Sequence, residues 1–491
     1  MSYQFQLNVF MNKHFLSFFL ALVCGQGLFA QTLISATLLG TKTKAQITAQ
    51  FNVPLINYGA KYYRIQYTST AINGTLDTVS GLLAVPNDPT KAYPRLVYQH
   101  GTSGSKMDVP SYTSGSGEGT LGLLFAGLGY ITLAPDYLGL GISKGFHPYV
   151  HAASEASVAL DMLRAVEQYT AQNGISTNQQ LFITGYSQGG HAAMALHRAI
   201  EQDATNEFTV TAAAPMSGPY SISGVMRNLI LTDAVYYYPA YIPNTVLSYQ
   251  TAYGNLFTQI SDVFRPAYVN LVTQFYAGQV TLSALNDQLI TLLTANEGAC
   301  RPIKLFKDEV LQAITNDPNN PMNVALRKND TYNNWIPEAP MRLFYCMADD
   351  QVPFQNSIVA GDSLTASGAP NFQIFDVNTT ADHGGCVTPA LTATVLFFAG
   401  FQQVTTDTKA SAVPWQMSMS PNPANSALIL QGIPASGKME VVDMQGRVVL
   451  SQELRKGEQT LDVSGLENGL YMARFSAPGK DTWTEKLLIR R

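Results

Sequence analysis

Ser187 is the residue whose surroundings most clearly predict chemistry in this chain. It stands at the centre of a G-x-S-x-G pattern at residues 185–189, between an apolar run at 181–183 and a helix-forming run at 192–196. A buried strand, a tight turn with a serine at its apex and a following helix together form a nucleophile elbow. Glycines flank such a serine because side chains there would collide with the neighbouring strand and helix. The pattern therefore predicts a serine hydrolase with Ser187 as its nucleophile.

A second G-x-S-x-G pattern, at residues 141–145, lacks this context. Pro148 follows it closely and cannot sit inside a helix leaving the turn. No apolar strand runs directly into it, because residues 136–139 intervene. We therefore expect no nucleophile at Ser143.

A serine nucleophile needs a base, and the imidazole of that base needs an orienting carboxylate. In enzymes with this elbow the chain order is serine, then acid, then histidine. Of the seven histidines, only His191, His197 and His383 follow Ser187. The first two fall on the helix that leaves the elbow, too early for an acid-bearing strand to intervene, so we expect them to be structural. Exclusion leaves His383, in a predicted loop after the strand-like run 372–375.

The acid is expected just past the strand-like run 341–346, where Asp349 and Asp350 stand. Ligand chemistry in open α/β sheets lies at the carboxyl ends of strands. The residues themselves do not separate the two aspartates, and one of them is expected to be solvated or to cap a helix. Asp376 lies within a predicted strand, and Asp382 is too close to His383 to reach its ring easily, so both are poorer candidates.

An oxyanion hole needs two backbone N–H donors aimed at the reacting carbonyl oxygen. Gln188, the residue after the nucleophile, is expected to supply one of them. The other is expected from the loop after the strand-like run 95–99, where we favour Thr102 over Gly101.

Five segments, in a fixed order along the chain, carry a family resemblance: residues 98–102, 134–141, 185–190, 348–353 and 383–386. They resemble the secretory lipase/esterase branch of the α/β-hydrolase superfamily, which includes fungal secreted lipases, over roughly residues 45–402. The resemblance implies a mostly parallel sheet flanked by helices and ester hydrolysis through an acyl-enzyme, with no metal or organic cofactor. In related hydrolases the acid commonly stands three residues before Val-Pro, which favours Asp349 over Asp350.

Two cysteines lie next to the candidate acid and base: Cys346 precedes Asp349, and Cys386 follows His383. In this fold the loops that hold Cys346 and Cys386 are neighbours, so the two residues are expected either to form a disulfide in an oxidising compartment or to remain two buried thiols. The fourth cysteine, Cys24, falls within a predicted signal peptide that is removed on export, so Cys300 leaves an odd count in the exported chain. No cysteine spacing resembles a zinc site.

Composition narrows the class of partner. Charged residues make up 13% of the 491 residues, well below the typical quarter, and the net charge is −5. Lys and Arg are scattered, so we expect no nucleic-acid or anionic-membrane patch.

Residues 1–30 are predicted to form a secretory signal peptide that is cut near Ala30, with Met11 as a possible start. No later run is long and apolar enough to span a bilayer.

The C-terminal part of the chain differs from the rest in composition and hydrophobic pattern. Residues 404–414 are polar and small, which is typical of a linker, and residues 415–491 show short alternating runs separated by turns, which predict a small all-β sandwich. Motifs at 421–423, 443–447, 466–471 and 486–491 resemble the type IX secretion sorting domain. The resemblance implies passage across the outer membrane of a Gram-negative bacterium, followed by release or surface attachment. A carbohydrate-binding or spacer module is the alternative.

Residues 222–338 form an interval too long for a plain loop inside the predicted hydrolase domain, 31–403. Its many tyrosines and phenylalanines, in places at helical spacing, predict a helical cap. These rings could form an acyl-binding tunnel or lid, or they could simply pack the cap on the core.

Together these observations predict a secreted serine esterase or lipase that acts on neutral or apolar acyl esters. Ser187 would attack, His383 would act as base, Asp349 would orient the base, and the N–H groups of Thr102 and Gln188 would bind the oxyanion. Two alternatives remain: a serine peptidase or aminopeptidase of the same fold, and a non-catalytic surface binding protein.

Overall fold

A computed structural model describes residues 33–53, 55–203, 205–406, 417–433, 435–443, 447–477 and 483–491. The predicted signal peptide, residues 1–30, lies outside the described residues, as do residues 407–414 of the predicted linker.

Ten strands form one sheet in the first part of the chain. The strands are β1 (Leu33–Lys42), β2 (Ala60–Thr70), β3 (Leu76–Pro86), β4 (Lys91–Gln99), β5 (Ile131–Pro135), β6 (Thr177–Tyr186), β7 (Ala212–Met216), β8 (Met341–Tyr345), β9 (Phe372–Asp376) and β10 (Thr405–Thr406). Their order is β1-β2-β3-β5-β4-β6-β7-β8-β9, and β10 pairs with the start of β4. The sheet is antiparallel from β1 through β3 to β5 and parallel from β5 to β9.

Helices cover both faces of this sheet. They are α1 (Lys44–Phe51), α2 (Gly119–Gly127), α3 (Ala152–Gln172), α4 (Gln188–Glu201), α12 (Gln355–Ala366) and α13 (His383–Ala399). One apolar cluster joins the sheet to α3, α4 and α12, and a second joins it to α1, α2 and α13. The central strands read as continuous apolar runs because both of their faces are buried. The predicted mostly parallel α/β-hydrolase sheet with flanking helices is confirmed.

The interval predicted as a helical cap is built of helices. They are a π-helix (Ile222–Met226), α5 (Arg227–Leu231), α6 (Tyr241–Tyr253), α7 (Ile260–Val263), α8 (Pro266–Tyr276), α9 (Leu282–Glu297), a 3₁₀ helix (Pro302–Leu305), α10 (Asp308–Asn316) and α11 (Pro321–Lys328). Their apolar side chains form a cluster of their own, which also takes in Tyr149 and Val150 from the sheet domain.

The C-terminal part is all-β, as predicted. Its strands are β11 (Ser418–Ser420), β12 (Ala427–Ile433), β13 (Gly437–Val442), β14 (Val448–Leu454), β15 (Gly457–Asp462), β16 (Gly469–Ser476) and β17 (Trp483–Ile489). They form a three-stranded sheet, β11-β12-β15, and a four-stranded sheet, β14-β13-β16-β17. Buried side chains from both sheets, among them Leu428 and Phe475, share one apolar core, which is the arrangement of a sandwich.

Among the described residues, no helix combines the length and the apolar character needed to cross a membrane.

Candidate active site

The turn between β6 and α4 is a strained elbow with Ser187 at its apex. Ser187 has φ 59° and ψ −121°, a conformation that non-glycine residues rarely adopt. A Cβ atom on Gly185 would lie 2.3 Å from the carbonyl oxygen of Gly189, and one on Gly189 would lie 2.0 Å from that of Gln99. The glycines are therefore required by backbone contacts, as expected from the G-x-S-x-G pattern. The Ser187 N–H donates to Met216 O at 3.0 Å and so fixes the turn to β7.

His383 and Asp349 are joined by a short hydrogen bond. The ring Nδ1 lies 2.6 Å from Asp349 Oδ2, and both side chains are almost fully buried. The other carboxylate oxygen, Oδ1, accepts the backbone N–H groups of Gln351 at 3.0 Å and Val352 at 2.8 Å. Because Asp349 is held from both sides, it can fix the orientation of the imidazole.

The neighbouring aspartates have other partners. Asp350 accepts the backbone N–H of His383 at 3.1 Å and the hydroxyl of Tyr238 at 3.1 Å. Asp382 is the N-cap of α13 and accepts the N–H of Gly385 at 2.7 Å. His383 therefore begins a helix, where the sequence analysis expected a loop. Of the two aspartates that the residues alone left open, the one that meets the ring of His383 is Asp349.

Two further contacts hold the histidine in place. The Tyr186 hydroxyl donates to the His383 carbonyl at 2.6 Å, and the two rings lie 5.0 Å apart. A disulfide joins Cys346, at the end of β8, to Cys386, in the first turn of α13, with their Cα atoms 5.9 Å apart. Of the two alternatives for these cysteines, the structure therefore has the disulfide, and Cys300 is a buried free thiol.

The loop after β4 lies beside the elbow, since Gln99 pairs with Gly185 in the parallel register of β4 and β6. In this loop the N–H of Gly101 donates to the half-buried carboxyl group of Glu118 at 2.9 and 3.0 Å. The next N–H, that of Thr102, has no acceptor among the described residues, and its hydroxyl lies 3.0 Å from the Tyr149 hydroxyl. The N–H of Thr102 is thus available for an oxyanion, whereas that of Gly101 is not.

Gln188 begins α4, so its N–H is one of the orphan donors at the helix N-terminus. It has no acceptor among the described residues. The N-terminal end of a helix also favours developing negative charge. This edge of the sheet therefore offers two unpaired backbone donors, those of Thr102 and Gln188.

Sequence reasoning missed the acid behind the loop that follows β4. Glu118 is half-buried, also accepts the Tyr98 hydroxyl at 2.7 Å, and has a pKa raised by desolvation of its carboxyl group. It lies far from Ser187 along the chain, so no motif spacing pointed to it. The sequence did contain one signal for Glu118: it is an acidic residue just before an apolar helix and after a stretch rich in Gly and Ser.

The residues set aside by the sequence analysis have structural contacts. Ser143 donates to Asp77 at 2.6 Å and accepts the N–H of Gly139 at 2.7 Å. His191 and His197 both lie on α4 and each contacts a glutamate. No group of three or more His, Cys, Asp or Glu in the described part of the chain is arranged to hold a metal ion.

The cap contacts the loop that carries Asp349. The hydroxyls of Tyr236 and Tyr241 donate to the carbonyl and the side chain of Gln351 at 2.8 and 2.9 Å, and that of Tyr238 donates to Asp350. Between cap and sheet domain lies a narrow cavity of about 40 Å³. Its lining is mostly apolar and aromatic and comprises Tyr149, Val150, Pro219, Ile222, Met226, Leu229, Ile230, Tyr236, Tyr241, Ile242, Thr245, Leu326 and Val352.

Known structures share this fold over most of the chain. The rice cell wall degrading esterase LipA from Xanthomonas oryzae is 25% identical, with a TM-score of 0.67 over 75% of this chain and 97% of that one. Candida antarctica lipase A is 16% identical, with a TM-score of 0.55 over 76% of this chain and 83% of that one, which indicates a shared fold alone. No curated protein sequence matches the chain significantly.

Two family models match separate parts of the chain. Residues 122–394 match the secretory lipase family, and residues 418–490 match the secretion system C-terminal sorting domain. The first match covers more than half of the chain and includes Ser187, Asp349 and His383. The chain therefore belongs to the secretory lipase family of ester hydrolases and carries a secretion sorting domain after its hydrolase part.

Proposed function

We propose that this protein is a secreted serine ester hydrolase that works through an acyl-enzyme. Ser187 Oγ attacks the ester carbonyl carbon while His383 Nε2 takes its proton, and Asp349 stabilises the resulting imidazolium. The N–H groups of Thr102 and Gln188 bind the oxyanion of the tetrahedral intermediate. The imidazolium then protonates the departing alcohol, and a water activated by His383 hydrolyses the acyl-Ser187 ester.

The observation that carries this proposal is the convergence of four chain segments at one edge of the sheet. The segments that follow β4, β6, β8 and β9 bring the unpaired N–H of Thr102, the elbow of Ser187, the carboxylate of Asp349 and the ring of His383 to the carboxyl ends of the parallel strands. Ligand chemistry in open α/β sheets lies at this edge.

We infer that the acyl group is apolar and lies in the cavity between cap and sheet domain. Tyr149, which contacts Thr102, and Val352, which follows the acid, both line that cavity, so it adjoins the proposed oxyanion site. Burying one methylene contributes about 0.8 kcal/mol, which corresponds to about fourfold in kcat/KM for each added carbon until the cavity is filled. The similarity to the rice cell wall degrading esterase makes acylated polysaccharide a further substrate to assay.

Hydrolysis of p-nitrophenyl esters from acetate to palmitate, by the wild-type protein and by Ser187→Ala, tests the proposal. We expect activity that rises with chain length and then falls, and its loss in Ser187→Ala. Ser143→Ala is the matched control, because Ser143 stands in the other G-x-S-x-G pattern, and it should remain active. Ester hydrolysis that persists in Ser187→Ala would contradict the mechanism. Activity restricted to aminoacyl amides would favour the peptidase alternative.

We further propose export by the type IX secretion machinery, which the sorting-domain match supports. The division that we propose is a signal peptide at 1–30, a hydrolase domain at 31–403 with its cap at about 222–338, a linker at 404–414 and the sorting domain at 415–491. Thr405 and Thr406 pair with Ala92 and Lys91, so the first residues of this linker contact the sheet. Mass spectrometry of protein recovered from the medium and from the cell surface would test signal-peptide cleavage near Ala30 and show whether the sorting domain is removed during export.

A further inference from the structure

A buried polar network surrounds the side chain of Gln188. Its amide Nε2 lies 2.9 Å from Glu155 Oε1 and 2.9 Å from His147 Nε2. The other oxygen of Glu155, Oε2, lies 2.7 Å from His191 Nδ1, and His191 Nε2 lies 2.8 Å from the carbonyl oxygen of Asn329. Glu155 and His191 are among the most buried side chains of the protein. The network therefore joins the first turn of α4 to the first turn of α3.

The protons in this network have fixed places. The Nδ1 of His147 lies 2.8 Å from the Leu138 carbonyl, which can only accept, so Nδ1 carries the proton. Burial lowers the pKa of His147, so its Nε2 is unprotonated and accepts from Gln188. Both hydrogens of the Gln188 amide are then donated, one to His147 and one to Glu155. This amide has only one orientation that satisfies its neighbours.

We propose that Glu155 and His191 are positioning residues for the oxyanion site and act by holding Gln188. His191 donates Nε2–H to the Asn329 carbonyl, and its Nδ1 is hydrogen-bonded to Glu155 Oε2, which turns Oε1 toward Gln188. The held side chain fixes the residue whose backbone N–H must lie within 2.7–3.1 Å of the oxyanion. The inference rests on the proposed function, since it assigns these residues to the same reaction.

If Glu155 and His191 had a purely structural role, changes in this network would lower stability and leave kcat of the folded protein unchanged. The carbonyl Oε1 of Gln188 is buried with no partner among the described residues, and such a group is unfavourable. Replacing Gln188 by Met keeps the backbone N–H and removes that unpaired acceptor, but it also leaves Glu155 Oε1 and His147 Nε2 without their donor. Gln188→Met should therefore cost about 1–3 kcal/mol of stability for each acceptor left unpaired. A large loss of kcat, measured at a temperature where the unfolding midpoint shows the variant to be folded, would separate positioning from folding.

The chain provides a matched control on the same helix. His197 Nε2 lies 2.8 Å from Glu201 Oε1, and its ring packs against Trp335. This pair is also a histidine–glutamate contact of α4, but none of its recorded contacts is with Gln188 or with the loop after β4. Glu201 also accepts the N–H groups of Glu338 and Ala339, so it stays paired in His197→Leu.

The experiment measures kcat, KM, inhibition by an alkyl boronic acid and the unfolding midpoint. Glu155→Leu and Gln188→Met should lower kcat by about tenfold to hundredfold, somewhat less than the loss of a whole oxyanion donor, and weaken boronic acid binding in parallel while KM changes less than about twofold. Glu155→Gln should stay within about threefold of wild type, because its carbonyl can accept from Gln188 and its amide can donate to His191. His197→Leu should lose stability but not kcat.

The outcomes are separable from those of the proposed function. Unchanged kcat in Gln188→Met and in folded Glu155→Leu, with Ser187→Ala inactive, would overturn this inference alone. An equal loss of kcat in His197→Leu would also overturn it, because the effect would then be one of general stability. If Glu155→Leu fails to fold, Gln188→Met decides the matter. Ester hydrolysis that survives Ser187→Ala would instead overturn the proposed function.

Discussion

The disulfide between Cys346 and Cys386 should stabilise the protein more than it aids the chemistry. It joins the strand end three residues before Asp349 to the helix turn three residues after His383, and both cysteines are fully buried. The two positions are separated by 40 residues in sequence. In the chain-entropy model, closing a loop of this length stabilises the folded state by about 4 kcal/mol at 25 °C. The variant that removes the cross-link is Cys346→Ala with Cys386→Ala.

Activity should survive this change at 25 °C. The bond from Tyr186 to the His383 carbonyl and the bond from the His383 N–H to Asp350 still hold His383, and Asp349 keeps its two backbone donors. We therefore expect kcat within about threefold of wild type, because the contacts that orient the imidazole remain. For a domain of roughly 370 residues, a loss of 4 kcal/mol lowers the unfolding temperature by about 5 °C.

Thermal and guanidinium unfolding of the double variant, followed by circular dichroism, measure the effect. Cys300→Ala is the control, since it removes a buried sulfur without removing a cross-link. We expect a much larger loss of stability in the double variant than in the control. Equal unfolding midpoints for the double variant and wild type would refute it.

Three further predictions follow from particular contacts. Asp349→Asn should lower kcat by about 10³- to 10⁴-fold, because it disturbs the tautomer of His383. Asp350→Asn loses no contact to the ring, so it should lower kcat by less than about tenfold. Ester hydrolysis assays compare the two variants. Burial lowers the pKa of His100 from 6.5 to about 4. Between these pH values the unfolded chain binds a proton that the folded chain does not. The free energy of unfolding should therefore fall by on the order of 3 kcal/mol as the pH drops from 6.5 to 4. In urea titrations at several pH values, His100→Gln should show a weaker dependence of stability on pH. Finally, Tyr236→Phe with Tyr238→Phe removes two hydrogen bonds between the cap and the acid-bearing loop, each contributing about 1 kcal/mol, so hydrogen exchange in the cap helices should become about thirtyfold faster.

Local signals in the sequence were enough to place the elbow. A glycine-flanked serine between an apolar run and a helix-forming run predicts the turn because each part is a short-range preference, and the backbone contacts of Gly185 and Gly189 bear out the steric reason. The helices of 222–328 followed from the length of the interval and the spacing of its aromatic residues. The prediction of His383 as the base depended on chain order, which is a property of the topology.

Contacts between distant segments were beyond the reach of the sequence. Asp349 and Asp350 are adjacent, so the residues alone did not separate them; the family resemblance favoured Asp349, and the tertiary structure brings Asp349 to the ring of His383. Glu118 and Glu155 precede Ser187 by long stretches of chain, so neither belongs to a motif with it. The loop predicted around His383 is a helix start, and Asp382, an N-cap residue type followed by an apolar run, was the signal that would have indicated it.

The central claim is that Ser187 becomes acylated with His383 as its base. The most direct test is mass spectrometry of peptides from protein treated with a fluorophosphonate, in the wild type, Ser187→Ala and His383→Ala. We expect one adduct, on the peptide that contains Ser187, absent in Ser187→Ala and formed far more slowly in His383→Ala. An adduct on another serine, or equal labelling of the wild type and His383→Ala, would contradict it.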